Sequence, residues 1–194
     1  MAKMTNTTFK HLPNILTIIR IILTFIFIGI ATKSGVGYKI SSFVIFIIAS
    51  LTDYFDGYLA RKYHLITNFG KIMDPIADKF LTLSAFFIFA QMQLIAVWMY
   101  ALIAFREISI TVWRLLVIKQ GKVLAAESMG KYKTVTQIVA ICLIFLFIIV
   151  REYGVGQTAF MHVWAQAIYV VMLLTVGITV VSGISFLWNN LKKI

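Results

Sequence analysis

Residues 40–60 read ISSFVIFIIASLTDYFDGYLA, and residues 61–78 continue as RKYHLITNFGKIMDPIAD. The first stretch has the length that a transmembrane helix needs, about 20 mostly apolar residues. Its last turns carry two aspartates, Asp53 and Asp56, and two more follow at Asp74 and Asp78. Together the two stretches predict a membrane helix with a carboxylate-rich site at one end.

The composition of the whole chain agrees with a membrane protein. Hydrophobic residues make up 61% of the 194 residues and charged residues 13%, and the mean hydropathy is +0.93. A soluble domain of this length could not bury so much apolar surface in one core. The single cysteine, Cys142, excludes a disulfide framework and a cysteine-based zinc site. We therefore predict an all-α, polytopic membrane protein with a single domain over residues 1–194.

Six apolar runs are long enough to span a membrane. They cover residues 14–32, 40–60, 74–92, 95–118, 132–150 and 164–188. The first is not a cleaved signal peptide, since it contains Arg20 and lacks a small-residue cleavage site. Residues 9–12 have a weak amphipathic pattern that fits either a short interfacial helix or a frayed helix end. Between the third and fourth runs, only Gln91 and Gln93 indicate a turn.

Basic residues set the predicted orientation. With the N-terminus inside, only Lys33, Lys39 and Arg151 of the 18 lysines and arginines fall outside the cell. By the positive-inside rule, both termini are then cytoplasmic. The formal net charge of +11 does not indicate nucleic-acid binding, because the basic residues lie between apolar runs rather than on a polar module. We expect a multi-pass protein of the cell membrane, in contact with its lipids.

The acidic residues are concentrated in one place. Four of the seven carboxylates of the chain lie at residues 53–78. At 100° per residue, the two on the second helix share one stripe with two small residues, Gly57 and Ala60. Asp74 and Asp78 are spaced i, i+4 and share a face of the third helix. A short connection makes these helices antiparallel neighbours, so the four carboxylates are expected to converge at the cytoplasmic boundary.

Four like charges at the edge of a bilayer need a counterion. Oxygen-only ligands favour Mg²⁺ or Mn²⁺, and four aspartates suit a two-metal site. Arg61 would add a bidentate phosphate donor. The simpler alternative, juxtamembrane aspartates in ordinary salt bridges, accounts for a single carboxylate better than for the whole pattern.

The spacing D-x-x-D-G-x-x-A-R-x8-G-x-x-x-D-x-x-x-D resembles the signature of the CDP-alcohol phosphotransferase family. Its positions are filled by Asp53, Asp56, Gly57, Ala60, Arg61, Gly70, Asp74 and Asp78. The resemblance implies a dimeric membrane enzyme that cleaves CDP-diacylglycerol at its pyrophosphate, passes the phosphatidyl group to an alcohol and releases CMP. It further implies that the four aspartates bind the metals and that Asp78 is also the general base.

The same resemblance assigns a donor-binding role to a second set of residues. The start of the first helix, P-N-I-L-T-I-I-R, resembles the element of the family that lines the nucleotide site. The residues expected to bind CDP-diacylglycerol are Asn14, Thr17, Gly57, Ala60, Arg61, Thr67 and Gly70. A polar cap on the first helix is the alternative reading of Asn14 and Thr17.

A group of basic residues points to an acceptor that carries a phosphate. Arg106 and Arg114 share a face of the fourth helix, and Arg106 lies deep in an apolar run, where an ionisable residue is costly. The expected phosphate ligands are Lys79, Arg106, Arg114, Lys131, Lys133 and Thr134. A pair between Arg106 and Glu107, and membrane anchoring by the lysines, are the alternatives that involve no ligand.

Within the family, F-R-E and G-K-x-K-T-x-x-Q resemble the branch whose acceptor is sn-glycerol 3-phosphate. Inositol phosphate meets the same charge argument, and inositol or serine would be accepted by the same chemistry. A small cation-dependent transporter is the rival class. Against it, the acids gather at one membrane face, and no inverted repeat is visible.

Overall fold

Six α-helices follow one another in the computed structural model, which describes residues 7–62, 68–119, 129–154 and 158–191. Side chains are described throughout these ranges except at 7–13, 54, 56–62, 68–69, 71–72, 118–119, 129–131, 158 and 190–191. The helices are α1 Thr7–Ala31, α2 Val36–Lys62, α3 Asn68–Gln91, α4 Val97–Lys119, α5 Met129–Glu152 and α6 Thr158–Leu191. Each corresponds to one predicted apolar run, and the described residues form no strand. The all-α prediction is confirmed.

The weakly amphipathic segment, residues 9–12, is part of α1. The helix begins at Thr7 and continues through residues 9–12 and Pro13 to Ala31. That segment therefore forms the first turns of α1 and not a separate helix. At the other end of the chain, α6 has 34 residues and is longer than the predicted run at both ends.

The turn between α3 and α4 is specified by its own backbone hydrogen bonds. Gln93 adopts a φ of 58°, unusual for a residue other than glycine. Its N–H donates to the Ala90 carbonyl, and the Leu94 N–H donates to the Phe89 carbonyl, each at 3.0 Å. This pair of bonds is the Schellman arrangement that ends a helix. The break predicted from Gln91 and Gln93 is therefore confirmed.

The turn between α1 and α2 uses a glycine and a lysine. Gly35 has a φ of 112°, which side chains rarely tolerate. The Lys39 ammonium, buried in α2, donates to the Ala31 carbonyl at 2.8 Å. The positive charge thus satisfies a backbone acceptor at the C-terminus of α1, where the helix dipole favours a cation.

The helices form a closed circuit. Going round the bundle, the helices that contact each other follow the order α1, α2, α5, α6, α4, α3 and back to α1. Helix α3 also contacts α2 and α5 across the ring. Phenylalanines from four helices fill one part of the interior. Phe145 of α5 meets Phe27, Phe46 and Phe89 at centroid distances of 5.1–6.1 Å. Edge and tilted contacts of this kind add to apolar burial.

The exterior is apolar and part of the interior is charged, as in a membrane protein. Large apolar side chains such as Phe105, at 73% exposed, lie on the outside, whereas Arg20, Glu107 and Lys133 are buried. Within the described residues, four segments are long and apolar enough to cross a membrane: Asn14–Ala31, Val36–Asp53, Tyr132–Glu152 and Ala159–Asn189. Helices α3 and α4 have comparable length but carry several charges. The count of six spans and the cytoplasmic termini stay predictions.

Candidate active site

The predicted acidic residues lie where α1, α2 and α3 bring one end of the bundle together. Asp53 is in the second half of α2, and Asp74 and Asp78 are in the first half of α3. Both helices contact each other and α1. Asp53 is close enough to Asp74 and Asp78 for their charges to interact. These three aspartates thus lie at one end of the bundle within electrostatic range of one another, and we refer to them as the carboxylate group.

Arg20 of α1 is a partner of the carboxylate group that the sequence analysis did not assign to the site. One guanidinium nitrogen, Nη1, lies 2.9 Å from Oδ1 of Asp53. The arginine side chain is fully buried, and that of Asp53 is 43% exposed. An arginine inside an apolar run is by default a functional candidate, and that signal was available in the sequence.

Thr17 lies one turn before Arg20 and holds a second carboxylate. Its hydroxyl is fully buried and donates to Oδ1 of Asp74 at 2.5 Å. Asn14 is half-buried one turn earlier, on the same helix face. Thr17 and Arg20 are three residues apart and share a face of α1. That face therefore lies towards Asp53 of α2 and Asp74 of α3.

Lys79 joins the carboxylate group to a second set of charges. Its ammonium lies 2.6 Å from Oδ2 of Asp78 and 3.3 Å from Oε2 of Glu107. Asp78 and Glu107 belong to different helices, α3 and α4. A single lysine therefore links the predicted base to the predicted acceptor residues.

Glu107 is the centre of that second set. It is 1% exposed, and its Oε1 accepts hydrogen bonds from Lys133, from Gln137 at 3.1 Å and from Arg106 at 3.3 Å. We call Glu107, Lys79, Arg106, Lys133 and Gln137 the Glu107 cluster. Among the described residues, Oε2 accepts no hydrogen bond and has the Lys79 ammonium 3.3 Å away, so only Oε1 of this buried carboxylate is well satisfied. The pair between Arg106 and Glu107 does form, but it is one of several contacts.

Helix α6 contacts the Glu107 cluster through two hydroxyl side chains. Arg106 Nη2 donates to the Ser182 hydroxyl at 2.7 Å. Gln137 Nε2 also lies 3.4 Å from the Thr179 hydroxyl. Ser182 and Thr179 are buried and three residues apart, so they share a face of α6. None of the site residues predicted from the sequence lies on α6.

Positive charge exceeds negative charge around the Glu107 cluster. Among the described side chains, the cluster contains three cations, Lys79, Arg106 and Lys133, which contact the carboxylates of Glu107 and Asp78. Lys133 and Glu107 are nearly inaccessible to solvent. Since buried charges are normally paired, an unbalanced cation there favours an anionic ligand.

Three other predicted site residues, Arg114, Thr134 and Gly70, are placed by their exposure and their position on a helix. Arg114 is exposed, with its guanidinium carbon 5.9 Å from the centre of the Phe186 ring, and it lies about 12 Å along α4 from Arg106. Thr134 is half-buried beside Lys133, and Gly70 is buried in the first turn of α3. The structure does not bring Arg114 into the Glu107 cluster.

The remaining predicted residues cannot be placed by their side chains. Five of them have backbone in α2 or α5 but lie outside the described side chains: Asp56, Gly57, Ala60, Arg61 and Lys131. Thr67 lies outside the described residues.

The donor chemistry of the carboxylate group fits a divalent metal. Within the described side chains, no three His, Cys, Asp or Glu residues form a metal-binding group; Asp56 is not among these side chains. One oxygen of Asp53 forms an ion pair with Arg20, and one oxygen each of Asp74 and Asp78 accepts a hydrogen bond from Thr17 and Lys79. Such partners orient metal-binding carboxylates, and an all-oxygen donor set suits Mg²⁺ or Mn²⁺.

Comparison with known proteins gives consistent matches over most of the chain. The family model described as CDP-alcohol phosphatidyltransferase matches residues 10–181. A Bacillus subtilis protein named CDP-diacylglycerol–glycerol-3-phosphate 3-phosphatidyltransferase is 36% identical over 94% of this chain and 97% of its own length. A Mycobacterium tuberculosis protein named probable phosphatidylglycerophosphate synthase is 37% identical over 95% of this chain and 83% of its own. A Mycoplasma pneumoniae protein with the same name as the Bacillus one is 33% identical over 80% of this chain and 77% of its own.

Proposed function

Since the chain belongs to the CDP-alcohol phosphatidyltransferase family, we propose that it transfers the phosphatidyl group of CDP-diacylglycerol to sn-glycerol 3-phosphate. The products are phosphatidylglycerophosphate and CMP. One observation carries the proposal: Lys79 contacts both Asp78 and Glu107, so a carboxylate group and a cation-rich cluster adjoin. The first suits a metal-bound pyrophosphate, and the second suits the phosphate of an acceptor.

The chemistry assigned to the carboxylate group follows from the reaction. The acceptor hydroxyl attacks the phosphorus that bears the diacylglycerol, the P–O bond to the CMP phosphate breaks, and CMP leaves. Asp78 accepts the hydroxyl proton as general base. Its contact with Lys79, which also lies near Glu107, supports a base beside the proposed acceptor site.

The proposed metal ligands are Asp53, Asp56, Asp74 and Asp78, in a two-metal site for Mg²⁺ or Mn²⁺. Divalent cations bound there would neutralise the pyrophosphate oxygens and stabilise the departing CMP. Arg20 and Thr17 hold Asp53 and Asp74 in place through their side-chain contacts. The bond from Thr17 favours a role in orienting Asp74 over direct contact with the donor.

The residues proposed to bind CDP-diacylglycerol include two small residues and one arginine of the signature. Gly57 and Ala60 would let the donor approach the backbone of α2, and Arg61 would pair with its phosphates. Gly70, Asn14 and Thr67 complete this set by family resemblance.

The acceptor phosphate is proposed to bind at the Glu107 cluster. Lys79, Arg106 and Lys133 supply the positive charge, and Lys131 and Thr134 lie within two residues of Lys133 in the sequence. A neutral acceptor such as inositol or serine would leave this charge unused. Inositol phosphate would use it equally well, and the names of the relatives favour glycerol 3-phosphate.

The proposal also places the protein in its membrane. The apolar exterior makes it a membrane protein, and the distribution of basic residues supports an active site at the cytoplasmic face. There a lipid donor enters from the bilayer and a water-soluble acceptor from the cytosol. A homodimer is proposed from the family resemblance.

A reconstituted assay tests the function. Purified protein in detergent micelles, given CDP-diacylglycerol, should release CMP only when glycerol 3-phosphate and Mg²⁺ or Mn²⁺ are both present. Mass spectrometry should identify phosphatidylglycerophosphate in equal amount. CMP released without any acceptor would indicate a hydrolase. No release under any condition would contradict an enzymatic role and favour the cation-dependent transporter.

A further inference from the structure

Helix α6 contacts the proposed acceptor site at one guanidinium. Arg106 Nη2 donates to the Ser182 hydroxyl at 2.7 Å, while Nη1 faces Oε1 of Glu107 at 3.3 Å. The two nitrogens of the fork are therefore held by different helices, α6 and α4. Since an arginine side chain has several rotatable bonds, contacts on both nitrogens fix its plane and direction.

The neighbouring residue, Gly183, provides the space for this arrangement. A Cβ atom added to Gly183 would lie 3.0 Å from Cγ of Arg106 and 3.4 Å from Nε. The stem of the arginine thus packs directly on the backbone of α6. Gly177, two turns earlier on the same helix, has no atom within 4 Å of such a Cβ.

The geometry points to Ser182 and Gly183 as positioning residues for the acceptor: they hold the Arg106 guanidinium where the acceptor's phosphate binds. Gly183 allows the arginine stem to approach α6, and Ser182 prevents the guanidinium from turning wholly towards Glu107. This inference rests on the proposed function, because it needs the acceptor phosphate to bind at Arg106. It assigns to α6, which lacks any signature residue, a part in recognising the acceptor.

The positions of Ser182 and Gly183 predict that their replacement affects the acceptor and not the donor. Ser182 and Gly183 touch Arg106, whereas Asp53 and Asp74 of the carboxylate group proposed to act on the donor are held from α1. Loss of the Ser182 hydroxyl should therefore weaken acceptor binding and leave donor binding intact. A purely structural role would lower the thermal stability and affect both substrates alike.

The experiment compares two variants with two matched controls on the same helix. Ser182→Ala should raise the KM for glycerol 3-phosphate about tenfold, the order expected when a hydrogen bond to a charged group is lost. Gly183→Ala should also raise this KM, because the added Cβ would lie 3.0 Å from Cγ of Arg106 and displace its side chain. The KM for CDP-diacylglycerol should change less than about twofold. Ser182→Thr, which keeps the hydroxyl, should restore most of the acceptor affinity.

The controls are Thr175→Val and Gly177→Ala. The Thr175 hydroxyl is buried but donates to the Val171 carbonyl of its own helix, and Gly177 has open space around it. Both controls should keep wild-type kinetic constants. A tenfold rise in acceptor KM in either control would overturn the inference, because any disturbance of α6 would then suffice. If Gly183→Ala does not fold, Ser182→Ala and Ser182→Thr decide the matter alone.

Arg106→Ala separates failure of the inference from failure of the proposed function. If it raises the acceptor KM strongly while Ser182→Ala leaves that KM unchanged, the acceptor site stands and the positioning role is wrong. If Arg106→Ala itself leaves the acceptor KM unchanged, the proposed acceptor site is wrong and the inference falls with it. Equal losses for donor and acceptor in Ser182→Ala would also overturn it.

Discussion

Replacing Thr17 by valine tests whether α1 holds the proposed metal ligands. Valine has nearly the same shape but lacks the hydroxyl that donates to Oδ1 of Asp74 at 2.5 Å. Since the hydroxyl is uncharged, its loss adds no new attraction or repulsion for a cation. The sign of the effect is therefore clear: Asp74 loses its orientation, and metal affinity should fall.

The magnitude follows from the type of contact. Removing the hydrogen-bond partner of a metal ligand typically costs about 10–100-fold in metal affinity. Thr17 is fully buried, so water cannot easily take the place of its hydroxyl. We expect a Mn²⁺ affinity about 10–100-fold weaker and a stability loss of about 1–2 kcal/mol. Thr17→Ser, which keeps the hydroxyl, should recover most of both.

Two measurements with one matched control give the result. Free Mn²⁺ is followed by electron paramagnetic resonance in the absence of donor, and CMP release is followed as Mn²⁺ is titrated. The control is Thr24→Val on the same helix, because the Thr24 hydroxyl is equally buried but donates to the Arg20 carbonyl at 2.8 Å. An unchanged Mn²⁺ affinity in Thr17→Val, or an equal shift in Thr24→Val, would refute the reasoning. A rise in donor KM alone would mean that Thr17 contacts the donor.

Three further variants test other parts of the account. Asp78→Asn should lower kcat by about 10²–10⁴-fold with donor binding largely kept, as expected when a general base is lost; a variant with more than a tenth of the normal kcat would remove Asp78 from that role. Arg106→Lys should rescue only part of the acceptor affinity lost in Arg106→Ala, because a lysine cannot reach Glu107 and Ser182 with a planar fork; full rescue would show that charge alone matters. Phe145→Ala should cost about 3 kcal/mol of stability, measured by thermal denaturation, because its ring meets those of three other helices; an unchanged midpoint would mean that the aromatic cluster is not a stabilising core.

The helices could be predicted because each is a long apolar run, a property of consecutive residues. The six runs match the six helices, and even the weak break at Gln91 and Gln93 marks a true turn. The start of α1 could not be resolved in the same way, because residues 9–12 fit two descriptions. A continuous helical backbone through Pro13 decides between them.

The site could be predicted only where its members are close in sequence. The spacing of Asp74 and Asp78 on one helix face needed no knowledge of the fold. The partners of the site residues, by contrast, come from distant parts of the chain: Thr17 meets Asp74, and Arg106 meets Ser182. Periodicity within one helix cannot reveal which face of another helix lies opposite.

The contacts of Glu107 with other helices could not be predicted from the sequence either. Its neighbour Arg106 suggested an isolated ion pair, which is the contact that sequence adjacency favours. The structure adds Lys79 from α3 and Lys133 from α5 to the same carboxylate. Packing of three helices around one buried charge thus converts a local pair into the centre of the proposed acceptor site.

The central claim is that this chain uses a phosphate-bearing acceptor, glycerol 3-phosphate. The most direct measurement gives the purified protein CDP-diacylglycerol, Mg²⁺ and an equimolar mixture of glycerol 3-phosphate, inositol 1-phosphate, inositol and serine. Mass spectrometry then quantifies the lipid products. The account predicts that phosphatidylglycerophosphate dominates and that inositol and serine yield little product. Phosphatidylinositol, phosphatidylserine or phosphatidylinositol phosphate as the main product would contradict it.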